Sequence, residues 1–188
     1  MSVFKDHKIS LKQVLDFIPE ALLSHLSATT KVDYYSKVLH GKKMFYLLLF
    51  CIFDNEKLSQ RTLEDTFNSS GFKALFGLGE KEKVRRSSIS ERLSKIDPNY
   101  FKEIYEQMYG RFSELYSKTE IEKYNLIRVD STIVADACAK LKEGIDQKSG
   151  KKLVKFSFSF DGILPSGVEV FTGQKYSSEE AALPEAIL

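Results

Sequence analysis

The sequence predicts an α+β protein, helical over its first two-thirds and extended after that. Three observations lead there. Apolar residues recur at helical spacing, most clearly Phe101, Ile104, Tyr105, Met108, Phe112, Leu115 and Tyr116. From about residue 124 the period becomes two, as in KFSFSF, where Phe156, Phe158 and Phe160 alternate with Ser157 and Ser159. Turn residues punctuate this second part: Gly144, Asp146 and Gly150, then Asp161-Gly162, then Pro165-Ser166-Gly167. The expected organisation is a helical region over 1–120 and an extended region over 121–188.

The elements follow in order. Leu11, Val14, Leu15 and Ile18 predict a first helix, and Leu22, Leu23 and Leu26 a second after Pro19. The run from Met44 to Phe53 is apolar nearly all round, as a central helix is. It is about half the length that a membrane helix needs, so no membrane partner is expected. Leu63 and Phe67 share one face of a helix from Ser59 to Phe67, and Gly71, Gly77 and Gly79 are expected to break the pattern. Ser88 with Glu91 three residues later reads as a capping box that opens a short helix with Ile89, Leu93 and Ile96 inward. Asp97-Pro98 starts the long amphipathic helix. Strands are expected at 126–132, 153–160 and 168–172, forming an antiparallel meander. A helical run with Leu183, Ile187 and Leu188 begins after Ser177-Ser178-Glu179-Glu180.

Composition bounds the function. The chain has 188 residues, 43% hydrophobic and 29% charged, with a net charge of +2. Whole-chain charge therefore announces no nucleic-acid binder, and such a role must rest on local clustering. Cys51 and Cys138 lie in apolar surroundings and read as free buried thiols of a reducing cytosol. His7, His25 and His40 form no catalytic or metal pattern. The N-terminus is mixed and charged, unlike a signal peptide, and a cytoplasmic location is expected.

Two places carry chemistry. The first is NLIRVDSTIVAD, where Asp130 interrupts an apolar strand and Ser131 and Thr132 follow it. One reading is a strand-end Asp that bonds a turn. The other is a metal ligand: Mg2+ takes carboxylate oxygens in octahedral geometry, and a strand holds such a group rigidly. Phosphodiester-cutting sites pair two such ions about 4 Å apart, so further carboxylates must converge on the first. The second place is KEKVRRSSISERLSK, Lys81 to Lys95, with six basic residues against two acidic ones, a net +4 in 15 residues. Such a helix fits a major groove, with Arg85, Arg86 and Lys95 on phosphates and Ser90 and Ser94 at base edges. The alternative is a solvated helix face.

Asp130-Ser131-Thr132 resembles the first acidic motif of the DDE transposases of bacterial insertion sequences, of the insertion-sequence-4 type. The stretch LVKFSFSFDGILPSGVEVFTGQKYSSEEAAL resembles that family's next strands and following helix. GKKMFYLLLFCIFDNEKLSQRTLEDTFN and VRRSSISERLSKID resemble its helical N-terminal part. The resemblance implies a ribonuclease-H-like catalytic domain, of which 121–188 holds the first three strands and the start of a helix. It implies three acidic residues binding two Mg2+ ions, with Mn2+ as a substitute. Asp130 matches the first, and Ser131 and Thr132 are expected to orient it. Asp136, Asp146, Asp161, Glu169 and Glu179 match neither the second nor the third, so the 188-residue chain is expected to cut no DNA by itself. Implied partners are the double-stranded DNA of element ends and target, with a homodimer in synapsis at the nucleoid. Lys155, with Lys140, Lys142, Lys151 and Lys152, is a further candidate for phosphate contact. A non-catalytic DNA-binding repressor and a decayed remnant are the competing readings.

Overall fold

The computed structural model describes residues 11–54, 58–116, 128–135, 143–161 and 164–186. Helices α1 (Leu11–Asp16), α2 (Glu20–Thr29), α3 (Gly41–Asp54), α4 (Gln60–Asn68), α5 (Ser70–Leu75), α6 (Arg86–Lys95) and α7 (Asn99–Ser113) come first. Strands β1 (Arg128–Ala135), β2 (Ile145–Asp146), β3 (Lys152–Phe160) and β4 (Pro165–Phe171) follow. A 3-10 turn (Gln174–Ser177) then leads into α8 (Glu179–Ala186). The α+β reading therefore holds. The chain divides into two compact units, 1–108 and 109–188. The boundary expected at 120 lies outside the described residues.

Helices α4, α5 and α7 start where hydroxyl or carboxylate side chains satisfy free backbone N–H groups. Ser59 Oγ accepts from Thr62 N at 3.1 Å and opens α4, and Ser69 Oγ accepts from Phe72 N at 3.2 Å and opens α5. Asp97 Oδ1 accepts from Asn99 N at 2.9 Å ahead of α7, as its sequence predicts. Two expectations are corrected. Gly71 lies inside α5, where the Ser69 cap and the burial of Phe72 outweigh its low propensity. Helix α6 begins at Arg86 with Arg85 in the cap position, so Ser88 sits within its first turn and forms no capping box.

Helix α3 serves two cores. Met44, Leu47 and Cys51 pack with Leu63, Phe67, Phe72 and Ile89 from α4, α5 and α6. Tyr46 packs with Leu15, Leu23, Leu26, Tyr100 and Ile104 from α1, α2 and α7. Burial of a side chain such as Phe67 stabilises by about 2–3 kcal/mol. Cys51 is a buried thiol whose Sγ lies 4.0 Å from Thr62 O, while Cys138 lies outside the described residues. At the entry to α3, a Cβ on Gly41 would stand 2.6 Å from Val32 Cγ1 and 3.1 Å from the Tyr100 ring, so glycine admits this close approach.

Tyr100, outside the apolar series expected to be buried, is the deepest residue of α7, whereas Leu115 and Tyr116 of that series are exposed beyond the last helical turn. Burial raises the Tyr100 phenol above its ordinary pKa, Ser27 acting the other way. Its hydroxyl is buried without a well-formed hydrogen bond among the described residues. Tyr100→Phe is therefore expected to leave stability unchanged or raise it by up to about 1 kcal/mol, read from urea midpoints. A loss above that size would reveal a real bond.

In the second unit, β1, β3 and β4 form the antiparallel meander, and the two-residue β2 pairs with the start of β3. Asp130 lies opposite Phe158, Ser131 opposite Ser157 and Thr132 opposite Phe156. Directly opposed residues share a face. One face carries Leu153, Lys155, Ser157 and Phe171, all buried, and Phe171 packs with Ala182 and Ala186 of α8. The other face carries Phe156, Phe158, Val168 and Val170 and is partly open, with Phe158 36% exposed. The alternation of KFSFSF is thus real, but α8 covers the face that holds its serines. No helix among the described residues is long and apolar enough to cross a membrane.

Candidate functional site

The basic segment delivers its charge at the start of α6. Arg85 and Arg86 are exposed, as are Lys81 and Lys83 just upstream. With Ser87, Ser90, Gln60 and Glu64, the two arginines line a shallow cleft of about 470 Å3 between the starts of α4 and α6. Gln60 Nε2 donates to Ser90 Oγ at 3.2 Å, so Ser90 is held half-buried with its hydroxyl at the cleft wall. The first-turn N–H groups of α6 lie beside the two arginines, and a helix N-terminus favours anions.

Other members of the expected set are placed differently. Ser94 donates its hydroxyl to Glu91 O at 2.8 Å, one turn back on its own helix. Lys95 is exposed and pairs with Glu91 at 2.6 Å, and this bond holds the Glu91 carboxyl below its ordinary pKa. Arg92, counted in the basic run, turns inward. Its Nε donates to Leu39 O at 2.8 Å and its Nη2 to Val32 O at 2.6 Å, with Asp33 at 3.8 Å. Burial lowers its pKa and Asp33 opposes that shift. It ties residues 31–40 to α6.

Lys155, a sequence candidate for phosphate contact, is buried. Its side chain is 2% exposed, and Nζ donates to Ser178 O at 3.3 Å and lies 3.4 Å from Glu179 Oε1. The N-terminus of α8 and the sheet enclose it, so the ammonium has a partner inside the unit. Lys152 lies 3.8 Å from Asp146, Lys151 is exposed, and Lys140 and Lys142 lie outside the described residues.

Asp130 is the third residue of an eight-residue strand and is exposed. It stands on the face that α8 leaves open, at the head of the row Asp130–Phe158–Val168. The side chains of Ser131 and Thr132 lie outside those described. Other acids of the region are placed elsewhere. Asp161 accepts from Leu164 N at 2.8 Å and from the Tyr109 hydroxyl at 2.7 Å, which commits it to the β3–β4 turn. Glu169 is opposite Ser157, on the other face. Asp146 is opposite Lys152, six residues from Phe158 along β3, which is about 20 Å at strand rise. That far exceeds the roughly 4 Å between the ions of a two-metal site. Among the described residues no group of three His, Cys, Asp or Glu side chains could hold a metal ion. Asp130 suits a Mg2+ ligand by chemistry and exposure, but the described residues do not complete a site around it.

The structure also shows a group that the sequence reading passed over. Across α6 from the arginines lies a larger cleft of about 740 Å3 between residues 31–39 and the helix. Tyr34 and Tyr35 line it, 68% and 93% exposed, with ring centroids 4.3 Å apart at 69°. The signal was present in KVDYYSK, an aromatic pair flanked by lysines.

Compared with family models, curated proteins and solved structures, the chain matches none.

Proposed function

We propose that the first unit binds double-stranded DNA at the start of α6, and that the second unit carries the first metal-binding carboxylate of a DDE transposase. The observation that carries this reading is the position of Asp130. It is a mid-strand acid, exposed, on the first strand of an antiparallel β1–β3–β4 meander that leads into a helix. That order supports the ribonuclease-H-like assignment. The charge at Lys81, Lys83, Arg85 and Arg86 supports the DNA assignment. In this reading Asp130 ligates Mg2+, and Ser131 and Thr132 hold its orientation. Asp130 would be one of several carboxylates needed to hold such ions, which when bound would supply activation of a nucleophile and stabilisation of a leaving oxygen. The arginines neutralise phosphates, and Ser90 reaches base edges.

A second reading, DNA binding without catalysis, is favoured by the neighbours of Asp130. Its row continues into Phe158 and Val168, and no described carboxylate stands within metal-sharing distance along that face.

A binding and cutting assay tests both. Arg85→Ala with Arg86→Ala is expected to lower duplex affinity at least about 10-fold and to flatten the slope of log affinity against log salt by about 2. An unchanged slope would sink the DNA-binding reading. The chain alone, supplied with Mn2+, is expected to bind and not to cut. Cutting abolished by Asp130→Asn would establish catalysis here and remove the repressor reading.

A further inference from the structure

We propose that the Tyr34–Tyr35 cleft is a binding site for unpaired nucleotides of single-stranded DNA, separate from the duplex surface at Arg85 and Arg86. The inference rests on the nucleic-acid reading above and deepens it by naming a second form of substrate.

Four features carry it. The first is exposure. Two adjacent aromatic rings present their area to solvent, Tyr35 almost wholly. Their edge-to-face arrangement leaves ring faces free, and every base can stack on an aromatic face whatever its sequence. The second is charge. The cleft is lined by five cations, Lys31, Lys37, Lys83, Arg92 and Lys95, against two carboxylates, Glu91 and Asp97. Arg92 and Lys95 are engaged with protein groups. Lys31, Lys37 and Lys83 are exposed and make no ion pair among the described residues. Aromatic platforms ringed by free ammonium groups are what a flexible phosphate backbone with splayed bases requires.

The third feature is size. At about 740 Å3 the cleft lies within the usual range of roughly 300–1,000 Å3 for small-ligand sites, and a single nucleotide fits. A duplex does not enter such a space. The fourth is backbone conformation. Lys31 has φ 52° and Tyr35 φ 66°, the left-handed region that bulky side chains seldom adopt. Two overlapping turns hold them, with Tyr34 N donating to Lys31 O and Ser36 N to Asp33 O. Arg92 clamps the same loop through the carbonyls of Val32 and Leu39. Packing does not ask for Tyr35, since its ring is out in solvent. A bulky aromatic kept at a strained position without core contacts points to a ligand.

The test is fluorescence anisotropy with oligothymidylate and, separately, a blunt duplex, on the whole chain. Tyr34→Ala with Tyr35→Ala is expected to weaken oligothymidylate on the order of 10-fold or more and to leave the duplex unchanged. Tyr34→Phe with Tyr35→Phe retains affinity, because stacking uses the ring and not the hydroxyl. Tyr35→Gly relaxes the left-handed position, so it melts at or above the wild type while binding oligothymidylate more weakly. That split separates a ligand role from a structural one. Equal affinity of the alanine variant and the wild type for oligothymidylate overturns the proposal. So does polyglutamate competing as well as oligothymidylate, since charge alone would then explain the cleft. If Arg85 and Arg86 prove irrelevant to duplex while the tyrosine effect stands, this site survives and the duplex reading fails. If the duplex effect stands without the tyrosine effect, only this proposal falls.

Discussion

Arg92→Ala is expected to destabilise the first unit by about 3 kcal/mol and to lower its Tm by roughly 10–20 °C. The guanidinium donates to Leu39 O and Val32 O, and it stands beside Asp33. Its side chain is only 11% exposed, so water is poorly placed to take over those carbonyls. Hydrogen bonds from charged donors are worth about 1.5–3 kcal/mol each, and stranded acceptors add a desolvation cost. The same substitution frees Asp33, whose Oδ1 accepts from Gly41 N at the start of α3. Arg92→Lys rescues little, because an ammonium on a flexible stem does not reproduce the fork that reaches two carbonyls at once. A measured loss below about 1 kcal/mol by urea unfolding would show that the loop is held by other means.

Phe72→Ala is expected to cost about 3–5 kcal/mol, the range for a large ring removed from a tight core. Phe72 is fully buried, with ring centroids 4.6 Å from Phe76, 5.6 Å from Phe50 and 5.7 Å from Phe67. These partners belong to α3, α4 and the end of α5, so the hole left behind cannot close by moving one element. Phe72→Leu, which keeps most of the volume, is expected to cost less than half as much. The measurement is the urea midpoint at constant m, which separates a loss of stability from a change in the unfolded chain. Equal losses for Ala and Leu would mean that ring contacts, and not volume, set the stability of this core.

How much of this could be read from residues alone varies by element. Helix α4 was readable because Leu63 and Phe67 are one turn apart and Ser59 stands at the cap. The meander was readable because a period of two and the turns around Gly150 and Pro165 are local signals. Which face of β3 is covered was not, since alternation groups Phe156 with Phe158 and Ser157 with Lys155 without saying where α8 packs. The sequence counts Arg92 only in the charge of the basic run and offers Lys155 as a phosphate contact, because charge is a local property. Their partners are Val32, Leu39, Ser178 and Glu179, distant in sequence or across a fold not yet assembled. Tyr34 and Tyr35 were passed over because a loop has no period to mark them. Asp130 stands out in the sequence as an acid within an apolar strand, and in the fold it is exposed opposite Phe158. The acids that would join it were not found by pattern, and the described strands place Asp146 and Glu169 too far away or on the wrong face.

Helix α3 faces both cores of the first unit, and this bears on how that unit comes apart. Met44 and Leu47 belong to one cluster while Tyr46 belongs to the other, so neither cluster can open while α3 stays folded and satisfied. A boundary between independently melting halves has nowhere to form. Damage at Phe72 is therefore expected to be felt at Leu23, although the two side chains lie in different clusters. The unit is therefore expected to unfold in one step, with amides at the centre of α3 exchanging at the rate set by global opening, which hydrogen exchange checks.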